Sequence, residues 1–324
     1  MASSELSALY AVLPHVAPDA MTACTEWAAR QVLAHLSAGA KERADLIEEK
    51  LAGLPERGTK PFAEREAPFL SLSHEDLCRA LIEHTQRFEA AATALADLDV
   101  HATVPFSGTR FTAAELATHQ RSEAALHRWD LIGTDGMGDT LLAQPELTRH
   151  GVKVLNTLQS VLQESPTARV RRAGISDVRI VLRSPDQPDV VLAAAAGAGR
   201  FETVDREEGS DAVVTTDAAQ RFLLIWCRWP TARPIATEAK TITRHMVERV
   251  LWSAARPWPG AEPLLTAWPP APGSPWAPRS RAGVRDEVNP AAQCARPRPP
   301  IPKSTDDPNE LTGSPDPAHP IRGL

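Results

Sequence analysis

The chain predicts an α+β protein: an N-terminal four-helix bundle, then a small α+β module, then a proline-rich disordered tail. Three observations carry this. The first half holds long runs of helical hydrophobic period, several opened by capping residues. Residues 178–216 switch to alternation of apolar and polar side chains. From Arg256 to Leu324 lie 17 of the chain's 29 prolines, with few apolar clusters. The implied boundaries are 1–165 for the bundle, 166–255 for the α+β module and 256–324 for the tail.

Taken in order, Glu5–Val12 reads as a short helix closed by Pro14 and Pro18. Thr25–Ser37 follows, where Trp27, Val32, Leu33 and Leu36 repeat at helical spacing, and Lys41–Leu54 continues as a charged helix. Pro55–Leu70, with its prolines and charges, reads as a connector. Ser73 and Asp76 resemble an N-terminal cap for a long helix Glu75–Leu98, with Leu77, Leu81, His84, Phe88 and Ala92 near one stripe. After Asp97–Gly108, Thr112 and Glu115 stand at capping-box spacing before an amphipathic run to Leu131, and Gly133 with the residues after it stops that helix. Four helices joined by modest loops predict an antiparallel bundle, whose interior is a usual place for sites built from facing helices.

Pro145–Leu162 predicts one more helix, closing the bundle or bridging to the next module. Val178–Leu182, Val190–Ala196, Arg200–Asp205 and Ala212–Thr216 alternate in hydrophobicity between Pro, Gly and Asp, as half-buried antiparallel strands do. Thr216 or Asp217 caps a helix Ala218–Trp229, and a last helix runs Glu238–Trp252. Beyond it the tail buries too little to offset its chain entropy, so disorder is expected there. Trp258, Trp268 and Trp276 are its exceptions and suit docking onto the module; the PxxP-like spacing at Pro297–Pro302 is a weak partner signal.

Composition narrows the function. With 324 residues there is material for two cored domains plus a tail, and a net charge of -6 leaves no electrostatic footprint for nucleic acid or an anionic membrane. No secretory signal pattern opens the chain and no apolar run approaches a membrane span. Cys24, Cys78, Cys227 and Cys294 are scattered, with no CxxC pair. That fits a reducing compartment, and a cytoplasmic location is the expectation.

Chemistry concentrates in Ala117–Leu131. Glu123 and His127 stand four apart, which on a helix puts a carboxylate and an imidazole on one face about one turn from each other. Such a pair is either a solvated ion pair or two ligands of a metal. Its stripe also carries Leu116 and Leu131, and a carboxylate facing a core needs a charged partner. His119 lies one step back on the same row and would extend the constellation. His35, among apolar neighbours, reads as a satisfied core histidine rather than a ligand.

Three segments, CTEWAARQVLAHL at 24–36, PFSGTRFTAAELATHQRSEAALHRWDL at 105–131 and DAVVTTDAAQRFLLIWCRWP at 211–230, together resemble the mycothiol-dependent maleylpyruvate isomerase family. The resemblance spans roughly residues 5–255. It implies a DinB-like four-helix metal-binding domain joined to a small α+β domain. It also implies that His35, Glu123 and His127 ligate Zn²⁺ or another divalent metal. Asp130, one turn past His127 on a neighbouring face, reads either as an outer partner of a ligand imidazole or as a charge near the end of a helix. Arg228 is the implied catalytic arginine; Cys227 stands before it where the family usually has glycine.

The implied reaction uses a low-molecular-weight thiol, mycothiol by family likeness. Its thiolate adds to the cis double bond of a substrate such as maleylpyruvate and leaves after rotation, while Arg228, or Arg121 or Arg128, holds carboxylate and enolate charge. The partners expected are therefore the thiol and a small electrophile. Alternatives are an S-transferase using the same thiol on other electrophiles, or a non-catalytic metal-binding or redox-responsive interaction protein.

Overall fold

The computed structural model describes residues 3–24, 27–158, 165–228 and 235–252. The described residues divide into a helical N-terminal region and a sheet-containing α+β region, which share one core. The tail and its three tryptophans lie outside the described residues, as does the PxxP segment.

Helix α1 spans Ser4–Val12, its first turn capped by the Ser3 hydroxyl, which accepts from the Leu6 N–H. Helix α2 runs unbroken over Ala29–Leu51, uniting the two predicted segments. At its start the Gln31 side chain reaches back to the Ala28 N–H at 2.7 Å. The expected connector contains a helix, α3, Phe62–Leu70. Helix α4, His74–Leu98, is capped by Ser73 as its spacing predicts.

Contacts along α2 and α4 rise in step: Ser37 lies against Leu77, and Asp45 and Glu48 bind Arg87. The two helices are therefore parallel, which corrects the all-antiparallel bundle. Parallel neighbours need a crossover, and residues 52–73 supply it by running back along α2 until Arg30 donates to the Leu70 and Leu72 carbonyls.

A hairpin unforeseen from sequence follows: β1, Thr103–Phe106, pairs antiparallel with β2, Thr109–Thr112. Its two-residue turn, Ser107–Gly108, has both φ values positive, at 48° and 80°, the sense that suits the twist of a tight hairpin. Helix α5, Ala113–Ile132, starts from β2 with the full capping box: Glu115 N–H donates to the Thr112 hydroxyl, and Thr112 N–H to the Glu115 carboxylate. It runs antiparallel to α2, since Arg43 meets Gln120 while His35 meets Glu123.

Beyond Gly133 come α6, Gly136–Leu142, and α7, Pro145–Thr157; residues 159–164 of the predicted longer helix lie outside the described set. Helix α8, Pro166–Ala173, precedes the sheet. Strands β3 Val178–Arg183, β4 Asp189–Ala195, β5 Ala198–Val204 and β6 Ala212–Thr215 match the alternating segments, and β7, Ala236–Ala239, joins them in the order β5-β4-β3-β6-β7. The expectation of wholly antiparallel strands fails at one place, because β3 and β6 are parallel. The chain crosses the β4–β5 hairpin before returning to the other edge of β3.

Ile180, Leu182, Val190, Leu192, Ala212 and Val214 turn one face of the sheet into the main core. Helix α9, Ala218–Ile225, capped by Asp217, contributes Phe222–Ile225 to the same core, and α10, Arg244–Trp252, adds Val247, Val250 and Leu251. At Gly151 of α7 an added Cβ would stand 3.0 Å from Trp226 Nε1, so this helix approaches the end of α9 closely only because the position lacks a side chain. Among the described residues no helix is long and apolar enough to cross a membrane.

Candidate functional site

Two helices supply the site. On α5, His119, Glu123 and His127 succeed one another at four-residue intervals and project toward α2. On α2, His35 faces them. His35 Nε2 is 3.3 Å from Glu123 Oε2, and His127 Nε2 is 3.5 Å from the same oxygen. Ligand atoms of His35, Glu123 and His127 all lie within 4.8 Å of one another, close enough to hold one metal ion. The lone core histidine of the sequence thus has the company that its own helix did not show.

Each imidazole has a carboxylate behind it. Glu66, from α3, places Oε1 2.8 Å from His35 Nδ1. Asp130 Oδ2 sits 2.8 Å from His127 Nδ1, as a charge partner more than an in-line hydrogen-bond acceptor. These contacts leave both Nε2 atoms turned toward Glu123, the arrangement typical of metal-binding histidines oriented by outer carboxylates. The Glu123 carboxylate is braced on its other side, where His119 Nε2 lies 3.9 Å from Oε1 and His119 Nδ1 shares a hydrogen bond of 3.0 Å with His150 Nε2. Trp27 covers the cluster, its ring 5.1 Å from that of His35 and stacked 6.5 Å from that of His127.

Electrostatics divides the histidines. Burial works against charge on His127, but Asp130 and Glu123 outweigh it and push the imidazole up to about 9. Burial likewise opposes ionisation of Glu123, yet His127, His35 and His119 hold its carboxyl well below the usual range. Asp130 is brought down to about 2, with burial overcome by Arg228 and His127. His119 goes the other way: burial holds its imidazole well below the ordinary value, against the pull of Glu123. A cation bound among these groups would take the place of the proton on His127 as counter-charge to the carboxylates.

Arg228 reaches the site from the far end of α9. Its Nε and terminal nitrogen fork onto Asp130 at 3.2 and 3.0 Å, and the Cys24 sulfur lies 3.6 Å away. The guanidinium and the His127 imidazole thus share the Asp130 carboxylate. The other two arginines considered for the substrate are engaged elsewhere: Arg121 with Glu5 and Glu146, and Arg128 with Asp135. Cys227 has φ +58°, a left-handed conformation that glycine adopts without strain.

Sequence reasoning misses Glu66, because the Pro- and charge-containing stretch around it reads as a connector. The spacing of Phe62, Glu66 and Phe69 at helical intervals was the available signal. Phe62 packs its ring 5.5 Å from that of His35, and Phe69 is buried in the bundle.

Residues 1–132 match the model of the mycothiol maleylpyruvate isomerase N-terminal domain. Two solved structures are similar over a longer stretch. One is the crystal structure of the mycothiol-dependent maleylpyruvate isomerase, 15% identical with a TM-score of 0.51. The other is a mutant of that enzyme, 14% identical with a TM-score of 0.52. Each comparison covers 72% of this chain and 88% of the other. At these identities the likeness is one of fold. No curated protein matches the chain.

Proposed function

From an N-terminal region that matches the model of the mycothiol maleylpyruvate isomerase N-terminal domain, we infer that this protein is a metal- and thiol-dependent cis–trans isomerase of a small unsaturated dicarboxylate such as maleylpyruvate. The observation that carries the reading is the convergence of His35, Glu123 and His127, with Glu66 and Asp130 behind the two imidazoles. Two nitrogens and one carboxylate oxygen suit zinc, and three protein ligands leave a coordination place open. Bound there, zinc would lower the pKa of a thiol such as mycothiol so that it is a thiolate at neutral pH.

The chain's own residues then have defined tasks. Glu66 and Asp130 keep the ring nitrogens of His35 and His127 in the orientation that ligation needs. Arg228 keeps Asp130 ionised and in place. Trp27, over both histidines, screens the cluster from water. The proposed reaction is reversible addition of the thiolate to the cis double bond: the C–S bond forms as the π pair moves onto the conjugated carbonyl as an enolate, the former C=C rotates as a single bond, and collapse of the enolate expels the thiolate and leaves the trans isomer.

Metal analysis and a thiol-dependence assay test this reading. The purified protein should carry about one zinc per chain, and His127→Ala should lose it. Conversion of the cis substrate should require catalytic, unconsumed thiol. A full equivalent of zinc retained by His127→Ala would remove that residue from the ligand set, and stoichiometric consumption of thiol would make the protein a transferase instead.

A further inference from the structure

With Arg228, Arg121 and Arg128 each bound to an internal carboxylate, the question is which cation near the cluster is left to meet an anionic substrate. Arg43, one row along α2 from His35, is fully enclosed between the rings of Phe88 and Phe106 and donates to Gln120. It is closed to any ligand.

Arg65 is different. It precedes Glu66 on α3, and its guanidinium lies over the Phe62 ring at 4.3 Å, while that ring stands 5.5 Å from His35. Its Nε is enclosed and has no hydrogen-bond partner. Among the described residues no carboxylate lies within ion-pair distance of it, although Glu66, Glu123 and Glu42 are near enough to act on its charge. Phe62 is half exposed, so this edge of the cluster opens to solvent. With no carboxylate at ion-pair distance among the described residues, the terminal nitrogens of Arg65 can meet the carboxylate of a ligand. A guanidinium held flat on an aromatic ring also presents its fork with little further loss of freedom.

We propose that Arg65 is the substrate-carboxylate residue of this site, receiving one carboxylate of a small dicarboxylate in a bidentate fork at the open edge of the His35–Glu123–His127 cluster. The proposal rests on the isomerase reading for its substrate class. It differs from the sequence expectation in taking the anion from the α+β module to the crossover of the bundle. Arg228, expected from the resemblance to be the catalytic arginine, is in this proposal a positioning residue, since its guanidinium is bound to Asp130.

The test uses the full chain, with and without added zinc, and succinate as a dicarboxylate that cannot isomerise. Calorimetric titration should show succinate binding that weakens about tenfold or more in Arg65→Gln and recovers in part in Arg65→Lys. Zinc content and melting temperature should stay those of the parent. Unchanged succinate affinity in Arg65→Gln overturns the proposal, and so does a parent protein that binds no succinate in either form. Failure of the isomerase reading shows separately, as absent thiol-dependent turnover in a protein whose succinate binding still depends on Arg65.

Discussion

Asp130 is fully buried between two basic side chains: its carboxylate meets the His127 imidazole on one side and the Arg228 guanidinium on the other. Removing its charge would strand Arg228 and release the ring of His127. Asp130→Asn should therefore weaken metal binding by about 10–100-fold, the range seen when outer partners of ligating histidines are lost. A competition titration against a zinc chelator reads this directly. Affinity equal to the parent would mean that His127 is oriented by its packing against Trp27 alone.

Among the elements, α9 shows how a backbone constraint aims a functional side chain. The helix ends at Ile225, the Cys227 N–H bonds back to the Leu224 carbonyl, and the chain turns through φ +58° at Cys227 before Arg228 points at Asp130. A side chain with a Cβ is strained in that conformation by about 1 kcal/mol, and glycine is not. Cys227→Gly should raise stability by about that amount in urea unfolding, whereas Cys227→Ala, which keeps the Cβ, should not. Equal midpoints for the two variants would show that the left-handed turn carries no cost here. The crossover helix α3 makes a similar point, since a segment needed only to connect two parallel helices also delivers Glu66 to His35.

Across the whole molecule, Glu5 ties the first helix to the rest. It is fully buried and accepts from Arg121 of α5 and from Gln144 at the start of α7. Burial raises its pKa, but Arg121 and Gln144 prevail and bring it from 4.5 down to about 2. A depressed carboxyl contributes stability that is fully present above its unfolded pKa and is lost as pH falls through the folded one. The urea midpoint should therefore decline between about pH 4.5 and pH 2, and the decline should be shallower in Glu5→Gln. Parallel pH profiles for parent and variant would show that this contact adds nothing to acid stability.

Read alone, the sequence determined what depends on near neighbours. Helix period, the Thr112–Glu115 capping box, strand alternation from 178 to 216 and the shared face of Glu123 and His127 are all set by residues within a turn or two, where backbone geometry leaves few choices. His35 as a third member became legible only through family likeness, since nothing in its own helix distinguishes it from a core histidine. Tertiary structure decided the rest. The parallel course of α2 and α4, the placing of Glu66 against His35 and the engagement of Arg228 by Asp130 bring together residues 40, 31 and 98 positions apart in the chain. Such pairings follow from how whole faces bury against one another, and no local pattern of side chains encodes them.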